Sequence, residues 1–165
     1  WRNVEICVFL IVSEIERGVM FRGVAQLNLD AKGRMAIPSK YRDELMSSCE
    51  GQLIVTADPS KCLLIYPLPA WEPIEQKFNS LGLDERSRNL QRLLIGMASE
   101  VEMDNTGRIL ISAPLRQFAG LNKEIALVGQ GAKSELWDDA QWKFKIASTT
   151  FIDGDMPPEL KGFSL

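Results

Sequence analysis

The chain contains the stretch Leu27-Asn28-Leu29-Asp30-Ala31-Lys32-Gly33-Arg34-Met35-Ala36-Ile37-Pro38, and 74 positions later it contains Val101-Glu102-Met103-Asp104-Asn105-Thr106-Gly107-Arg108-Ile109-Leu110-Ile111-Ser112. Each copy has an apolar–polar–apolar–Asp run, two variable residues, and then Gly-Arg followed by an apolar run. An internal repeat of this kind indicates that the chain is built from two similar units. It also places an arginine at the same position of both units, which predicts one surface feature presented twice.

Both copies have the pattern of a β-hairpin. The residues before each Asp alternate between apolar and polar, which is the period of a half-buried strand. Asp30 and Gly33 predict a turn, because an Asp side chain can hydrogen-bond the backbone ahead of it and glycine permits positive φ. Asp104 and Gly107 are the corresponding turn residues of the second copy. The apolar residues after each Gly-Arg predict the returning strand.

The elements that follow each hairpin also repeat. In the first unit the pattern predicts a short helix over 40–46, strands at 53–56 and 63–66, and a helix that begins near 69. The second unit has the same order, with a helix over 115–119, strands at 125–128 and 135–137, and a helix start at 138–139. An amphipathic helix within 84–97 joins the two units.

These elements predict a mainly β protein with short helices, of the α+β class. Units of about 50 residues bury a modest core, so each is expected to depend on its sibling or on another subunit. Exposed strand edges favour pairing between chains, which predicts a homo-oligomer. The predicted organisation is an upstream or non-native extension at 1–19, a first module at 20–70, linking helices at 71–97, a second module at 98–142, and a helix end with a flexible tail at 143–165.

Composition excludes several classes of function. Net charge is −3, so a nucleic-acid-binding surface has to be a local patch. The chain has no histidine, which excludes Ser-His-Asp and Cys-His catalysis and removes the commonest zinc ligand. Its three cysteines lack CxxC spacing and predict reduced thiols in a cytosolic protein. We therefore predict that the chain is not an enzyme and uses no cofactor, metal or small-molecule substrate.

The first residues contain an apolar run at 4–12, interrupted by Glu5. This run is far shorter than the roughly 20 residues that a membrane helix requires. It also lacks the small-residue cleavage site of a signal peptide. We therefore predict no membrane association.

The repeated Asp-x-x-Gly-Arg turn has two interpretations. It can be a hairpin whose Asp and Arg form a surface ion pair worth at most about 1 kcal/mol. Alternatively, the arginine projects from a two-stranded ribbon, and such a ribbon fits the DNA major groove. Recurrence of the arginine makes the two interpretations about equal, because a turn explains the glycines but does not require Arg after each of them.

Local charge makes the two copies unequal. Residues 20–45 carry five cations and three carboxylates, whereas residues 99–120 carry two cations and three carboxylates. The first unit is therefore the better candidate for contact with phosphates. A small patch is weak by itself, because affinity grows with the number of phosphates neutralised, but several subunits in one assembly would compensate.

Eight segments together resemble the bacterial MraZ proteins, in order, over about residues 20–150. They are Met20-Phe21-Arg22-Gly23, Asn28 to Arg34, Leu63 to Trp71, Arg92-Leu93-Leu94-Ile95-Gly96, Asp104 to Arg108, Leu115-Arg116, Ala119-Gly120-Leu121 and Glu135-Leu136-Trp137. The resemblance implies two tandem AbrB-like (SpoVT-AbrB) modules whose swapped hairpins form a small pseudo-symmetric double-ψ-type barrel.

The resemblance also implies a function. MraZ proteins are regulators of transcription that bind promoter repeats upstream of the cell-division and cell-wall gene cluster, form ring-shaped homo-oligomers and associate with the nucleoid in the cytoplasm. It implies that Arg34 is the principal contact to double-stranded DNA, assisted by Lys32 and Arg22, with Arg108 as the second-unit counterpart. The second turn has Thr106 where the first has Lys32, so its contact is the weaker expectation. The alternative function is an AbrB-fold scaffold or an antitoxin-like module that binds a protein.

Overall fold

The computed structural model describes residues 18–149, 157–160 and 162. Within these residues eight strands and five α-helices form a mixed α+β structure. The first unit contains β1 (Val24–Asn28), β2 (Arg34–Ala36), α1 (Ser39–Cys49), β3 (Gln52–Ala57), β4 (Leu63–Pro67) and α2 (Leu68–Asn79). The helix α3 (Glu85–Leu94) follows, and then β5 (Ser99–Glu102), β6 (Arg108–Leu110), α4 (Ala113–Phe118), β7 (Glu124–Gly129), β8 (Ser134–Asp138) and α5 (Asp139–Ser148). A short 3-10 helix spans Pro158–Leu160.

The two units exchange their first strands. The main sheet has the order β1-β7-β8-β4-β3-β5, and every neighbouring pair is antiparallel. Strand β1 of the first unit thus pairs with β7 of the second, and β5 of the second pairs with β3 of the first. The repeat counterparts are β1 and β5, β3 and β7, and β4 and β8. Exchanging the members of each pair gives the same strand order read from the other edge, so the sheet has approximate two-fold symmetry.

Equivalent residues of the repeat meet on this pseudo-two-fold axis. In the separate two-stranded ribbon β2–β6, Met35 lies opposite Ile109, which is its own counterpart 74 positions later. In the centre of the main sheet, Leu64 lies opposite Glu135, 71 positions later. Two of the three residues in this difference fall between the short helix and the following strand, where α1 is longer than α4, and the third falls in the β3–β4 hairpin, whose loop is one residue longer than that of β7–β8.

The main core lies between the ribbon and the large sheet. Met35 and Ile109 of the ribbon are 1% exposed, and they pack with buried residues of α1 and α4 such as Leu45 and Leu115. Residues of the sheet that face this side, including Leu63, complete the cluster. Burial of this continuous apolar surface, to which both units contribute, is the main stabilising term of the fold.

The opposite face of the sheet is covered by the longer helices. Trp71 of α2 is buried against Tyr66, with the rings 5.4 Å apart, and residues of α3 pack against the same cluster. Trp142 of α5 packs on Trp137 with the rings 6.1 Å apart. The helices α2 and α5 therefore lie on the side of the sheet away from the ribbon, and α3 packs there through Leu94 while its Leu93 also contacts the main core.

Most expectations from the sequence are confirmed. The mixed α+β class, the two units and the predicted strands and helices are present, although α1 extends beyond 40–46 to Ser39–Cys49. The barrel is different from the expectation. Among the described residues the hydrogen-bonded ladders do not close, because β1 and β5 are terminal strands of the main sheet and the ribbon is a separate layer.

Parts of the predicted organisation lie outside the described residues. These are residues 1–17 of the predicted extension, with its apolar run, and most of the predicted tail from 150 onward. Val19, within the predicted extension, is described and is buried in the main core. None of the described helices is both long and apolar enough to cross a bilayer.

We expect a fragment of residues 20–97 not to fold as a monomer. Without the second unit, β1 loses its partner β7, β4 loses β8 and the ribbon loses β6, so the first unit exposes the apolar surface of the shared core. Circular dichroism with sedimentation velocity measures the outcome. A fragment that is monomeric, folded and cooperative on heating would contradict this interleaved account, and the chain of residues 18–165 is the control.

Candidate nucleic-acid interface

Each Asp of the repeat organises its own turn. One carboxylate oxygen of Asp30 accepts hydrogen bonds from the backbone N–H groups of Lys32 and Arg34, both at 2.9 Å. The other oxygen accepts a bond of 2.7 Å from Arg34 Nε. Gly33 closes the turn at a φ of 83°, a left-handed conformation that glycine adopts without steric cost.

The second turn repeats this arrangement with one addition. Asp104 accepts bonds of 2.9 Å from the backbone N–H groups of Thr106 and Arg108. Arg108 Nε donates to Asp104 at 3.3 Å and also to the Thr106 hydroxyl at 2.9 Å. Gly107 has a φ of 78°. The two Asp-x-x-Gly-Arg turns thus share the same three hydrogen bonds to the Asp carboxylate, and the second adds those of the Thr106 hydroxyl.

These bonds keep both carboxylates ionised. The hydrogen bond from the backbone N–H of Arg34 is the largest influence that lowers the pKa of Asp30, from 3.8 to about 2. The backbone N–H of Arg108, followed by the Thr106 hydroxyl, holds the pKa of Asp104 well below its usual range. Stabilisation from a carboxylate with a lowered pKa is complete above its unfolded pKa and is lost only as the pH falls through the folded value. The stabilisation that both carboxylates give their turns is therefore fully present at neutral pH.

The two repeated arginines lie on one exposed face of the ribbon. Arg34 pairs with Leu110 and Arg108 pairs with Ala36, so the arginines stand at diagonal positions on the side opposite buried Met35. Diagonal neighbours of a two-stranded ribbon are about 7–8 Å apart. Their side chains are 32% and 38% exposed. The terminal Nη groups of Arg34 have no hydrogen-bond partner in the described part of the chain.

Two further arginines lock each turn to the opposite unit. Arg116 of α4 lies against Gly33, where an added Cβ would be 2.7 Å from its Cζ atom. Arg116 Nε donates to Ile111 C=O at 3.1 Å, and Ile111 N–H donates back to Gly33 C=O at 2.9 Å. A closed cycle of contacts therefore joins the first turn to the second unit.

The symmetry-related cycle joins the second turn to the first unit. Arg42 of α1 lies directly against Gly107, so a Cβ at that position would overlap its side chain. Arg42 Nε donates to Ile37 C=O at 2.7 Å, and Ile37 N–H donates to Gly107 C=O at 2.8 Å. Neither Arg42 nor Arg116 forms a salt bridge with any described carboxylate. Both guanidinium groups therefore lack a direct ion-pair partner among the described residues beside the ribbon.

The predicted helper residues have different positions. Lys32 is exposed at the tip of the first turn. Arg22 lies beyond the other end of β1, where its backbone contacts the Tyr41 hydroxyl and its C=O accepts a bond from Lys40. The five residues of β1, at about 3.4 Å each, span about 17 Å, so Arg22 lies at least that far along the strand from the turn. The structure thus brings Lys32, but not Arg22, to the ribbon arginines.

A family model described as "MraZ protein, putative antitoxin-like" matches residues 20–93 and 94–150. The chain belongs to the MraZ family. The two matched segments meet at the end of α3, so each contains one of the two interleaved units.

Several relatives are named Transcriptional regulator MraZ. The protein from Nitrosomonas europaea is 68% identical over 148 residues, which cover 88% of this chain and 100% of the relative. The one from Nitrosomonas eutropha is 64% identical with the same coverage. The one from Nitrosospira multiformis is 60% identical over 147 residues, again covering 88% of this chain and 100% of the relative.

Sequence reasoning did not assign Arg42 and Arg116 to the interface. A signal for them exists, because the offset of 74 that aligns the two turns also aligns Arg42 with Arg116. The contact of each with the other unit's glycine is not visible in that alignment.

Among the described residues no group of His, Cys, Asp and Glu side chains is arranged to hold a metal ion.

We expect Gly33→Ala to destabilise the protein more than Gly23→Ala. The two glycines have nearly the same φ, 83° and 82°, so a left-handed alanine costs each variant about 1–2 kcal/mol. A Cβ at position 23 meets nothing within 4 Å, whereas at position 33 it displaces Arg116. Denaturant unfolding measures the difference. Equal losses of unfolding free energy would mean that the Arg116 contact with Gly33 contributes nothing.

Proposed function

We propose that this chain is a transcriptional regulator without enzymatic activity that binds double-stranded DNA through the β2–β6 ribbon. The observation that carries the proposal is the pair of repeated arginines on one exposed ribbon face, each fixed by its own Asp. Membership of the MraZ family and the names of the similar proteins support the regulatory part.

The dimensions of the ribbon suit the major groove. A groove about 12 Å wide admits a two-stranded β-ribbon, and an arginine can form two hydrogen bonds to the O6 and N7 atoms of guanine. Arg34 uses Nε for Asp30, which leaves both Nη groups for DNA. The separation of about 7–8 Å between Arg34 and Arg108 corresponds to roughly two base-pair steps of 3.4 Å.

Asp30 and Asp104 act as positioning residues in this proposal. A free arginine side chain loses up to about 2 kcal/mol of conformational entropy when it is fixed. The carboxylate holds the guanidinium before DNA arrives, so that part of this cost falls on folding rather than on binding. The Asp is thus retained next to a DNA-binding Arg although its charge opposes the phosphates.

The finer features implied by the family resemblance are part of the proposal. They are binding to promoter repeats ahead of the cell-division and cell-wall gene cluster, a nucleoid-associated cytoplasmic location, and a ring-shaped homo-oligomer. A ribbon that contacts only a few base pairs supports the need for several copies, because linked weak sites bind repeated DNA with high avidity.

The open sheet supports a head-to-tail oligomer. The odd-numbered residues of β1 hydrogen-bond to β7, and the odd-numbered residues of β5 hydrogen-bond to β3. The backbone N–H and C=O groups of the even-numbered residues, such as Gln26 and Glu100, therefore point outward from the two edges of the sheet. Six alternating strands place β1 and β5 in opposite directions. Strand β5 of one copy can therefore pair antiparallel with β1 of the next, and such heterologous contacts form rings when the rotation closes.

The second candidate is a module that binds a protein, which the antitoxin-like description of the family favours. It makes the opposite prediction for DNA. A protein-binding scaffold has no need of uncompensated arginines around the ribbon and would not retain duplex DNA at low salt.

We expect Arg34→Ala to lower affinity for a duplex from upstream of the protein's own gene by about 1–3 kcal/mol, or roughly 5- to 150-fold. The lost bonds are those of the Nη groups to a base, so the oligomeric size stays unchanged. A gel-shift titration with size-exclusion chromatography measures both. Arg88→Ala is the matched control, because Arg88 is exposed on α3, on the other side of the sheet. Parental affinity in Arg34→Ala would disprove ribbon binding.

We expect Glu100→Pro to reduce the oligomer to smaller species while the subunit stays folded. The N–H of residue 100 points out of the sheet, so proline removes no hydrogen bond inside the subunit but blocks an added strand. In Val101→Pro the lost N–H belongs to the ladder with β3, and the subunit itself is destabilised. Light scattering and thermal unfolding separate these effects. An unchanged oligomer in Glu100→Pro would rule out pairing through β5.

A further inference from the structure

We infer that the first turn carries a phosphate-binding site built by both units, in which Arg116 and Lys123 of the second unit hold the DNA backbone beside Arg34. This inference rests on the proposed function and deepens it, because it assigns a role in DNA binding to residues of the unit whose own turn is poorly charged. The ligand class is the phosphodiester group of a duplex.

Arg116 reaches the first turn through the exchange between units. Its guanidinium lies against Gly33 and is anchored at Nε by Ile111 C=O, while its Nη groups have no hydrogen-bond partner in the described ranges. It forms no salt bridge with a described carboxylate. A guanidinium group that is held at Nε but has unbonded Nη groups can bind an anion with little further loss of side-chain entropy.

Lys123 stands on the same side of this turn. A cleft beside the turn is lined by Asp30, Ala31, Arg116, Asn122 and Lys123. The backbone places Lys123 there, since its C=O accepts the Leu29 N–H at 2.8 Å. Asn122 is fixed in turn by two bonds to Asp138. The side chain of Lys123 is exposed and makes no hydrogen bond or salt bridge among the described residues.

The second turn lacks both lysines of this site. Thr106 takes the place of Lys32, and Gly51 takes the place of Lys123, because Gly51 C=O accepts the Met103 N–H as Lys123 C=O accepts that of Leu29. Glu50 precedes Gly51. The first turn therefore combines Lys32, Arg34, Arg116 and Lys123 with Asp30 and with Glu124, which adjoins Lys123, for a net +2. The second combines Arg42 and Arg108 with Asp104 and Glu50, for a net zero.

Contacts with bases and contacts with phosphates have different roles in DNA binding. The ribbon face presents Arg34 to base edges, whereas Arg116 and Lys123 lie beside the turn, where the backbone of a duplex in contact with the ribbon passes. Phosphate contacts set position and release counterions but carry no direct sequence information. Removal of Lys123 should therefore weaken binding equally for all sequences and change its salt dependence.

The test uses Lys123→Gln in the full chain and a random-sequence duplex of about 24 base pairs. Fluorescence anisotropy from 50 to 200 mM KCl gives the slope of log K against log salt. Loss of one phosphate contact reduces the slope by about 0.9. The drop in affinity between the two salt concentrations is therefore about 3.5-fold smaller for the variant than for the parent. The second variant, Arg116→Lys, keeps the charge but cannot reproduce a guanidinium anchored at Nε, and it should lose affinity without a comparable change in slope.

Lys145→Gln is the matched control, because it removes the same charge from α5, on the opposite side of the sheet. A slope in Lys123→Gln equal to that of Lys145→Gln overturns the inference. If the parent binds the duplex and Arg34→Ala loses specific binding while Lys123→Gln keeps the parental slope, only the two-unit phosphate site is wrong. If the parent itself fails to bind any duplex at 50 mM KCl, the proposed function and this inference fall together.

Discussion

The contact of an arginine with the turn glycine of the opposite unit is the constraint on which the rest of this structure depends. Each turn glycine offers its carbonyl to the other unit's strand and its bare Cα to the other unit's arginine. Two such cycles hold the β2–β6 ribbon together although each strand of the ribbon has only three residues. A ribbon this short is not stable in isolation, so the cycles and the core beneath it fix the geometry of the exposed arginines.

The exchange of strands makes the symmetric fold compatible with an asymmetric surface. Because β1 and β5 cross between units, each turn is surrounded by residues from both halves of the chain. The backbone requirements are identical at the two turns and account for the Asp and the Gly in both, and in each turn the Arg bonds to the Asp. The surrounding side chains are not constrained by the backbone, and there the first turn has lysines while the second has Thr106 and Gly51. One architecture thus provides a basic and a neutral version of the same turn.

The two sides of the large sheet also have separate tasks. The side that carries the ribbon holds the main core and the arginines, whereas α2, α3 and α5 cover the other side with smaller aromatic clusters. The edges β1 and β5 remain open between these layers. A copy that pairs through its edges keeps its ribbon on the same side as its neighbours, because translation along a sheet of six alternating strands preserves the direction of both faces. The proposed oligomer and the proposed DNA contact therefore use different surfaces.

The sequence by itself determined the local structure. The repeat, the alternation of apolar residues and the Asp-x-x-Gly pattern predicted two units, their strands and helices, and the two turns, because these depend on neighbouring residues and on backbone sterics. The repeat predicted a surface position for Arg34 and Arg108, and the resemblance to the MraZ family implied their role. Residue spacing along the chain could not place Arg22, which precedes β1 and lies at the end of that strand away from the turn.

Only the tertiary structure decided which unit's residues meet. The order β1-β7-β8-β4-β3-β5, the open edges and the pairing of Met35 with Ile109 arise from contacts between residues far apart in the chain. The same holds for Arg42 and Arg116, whose partners are glycines of the opposite unit, and for Lys123, which reaches the first turn through β7. The physical reason is that burial of a core shared by both units brings these distant residues together. Local propensity is the same for a hairpin that packs on its own unit and for one that is exchanged with the other unit.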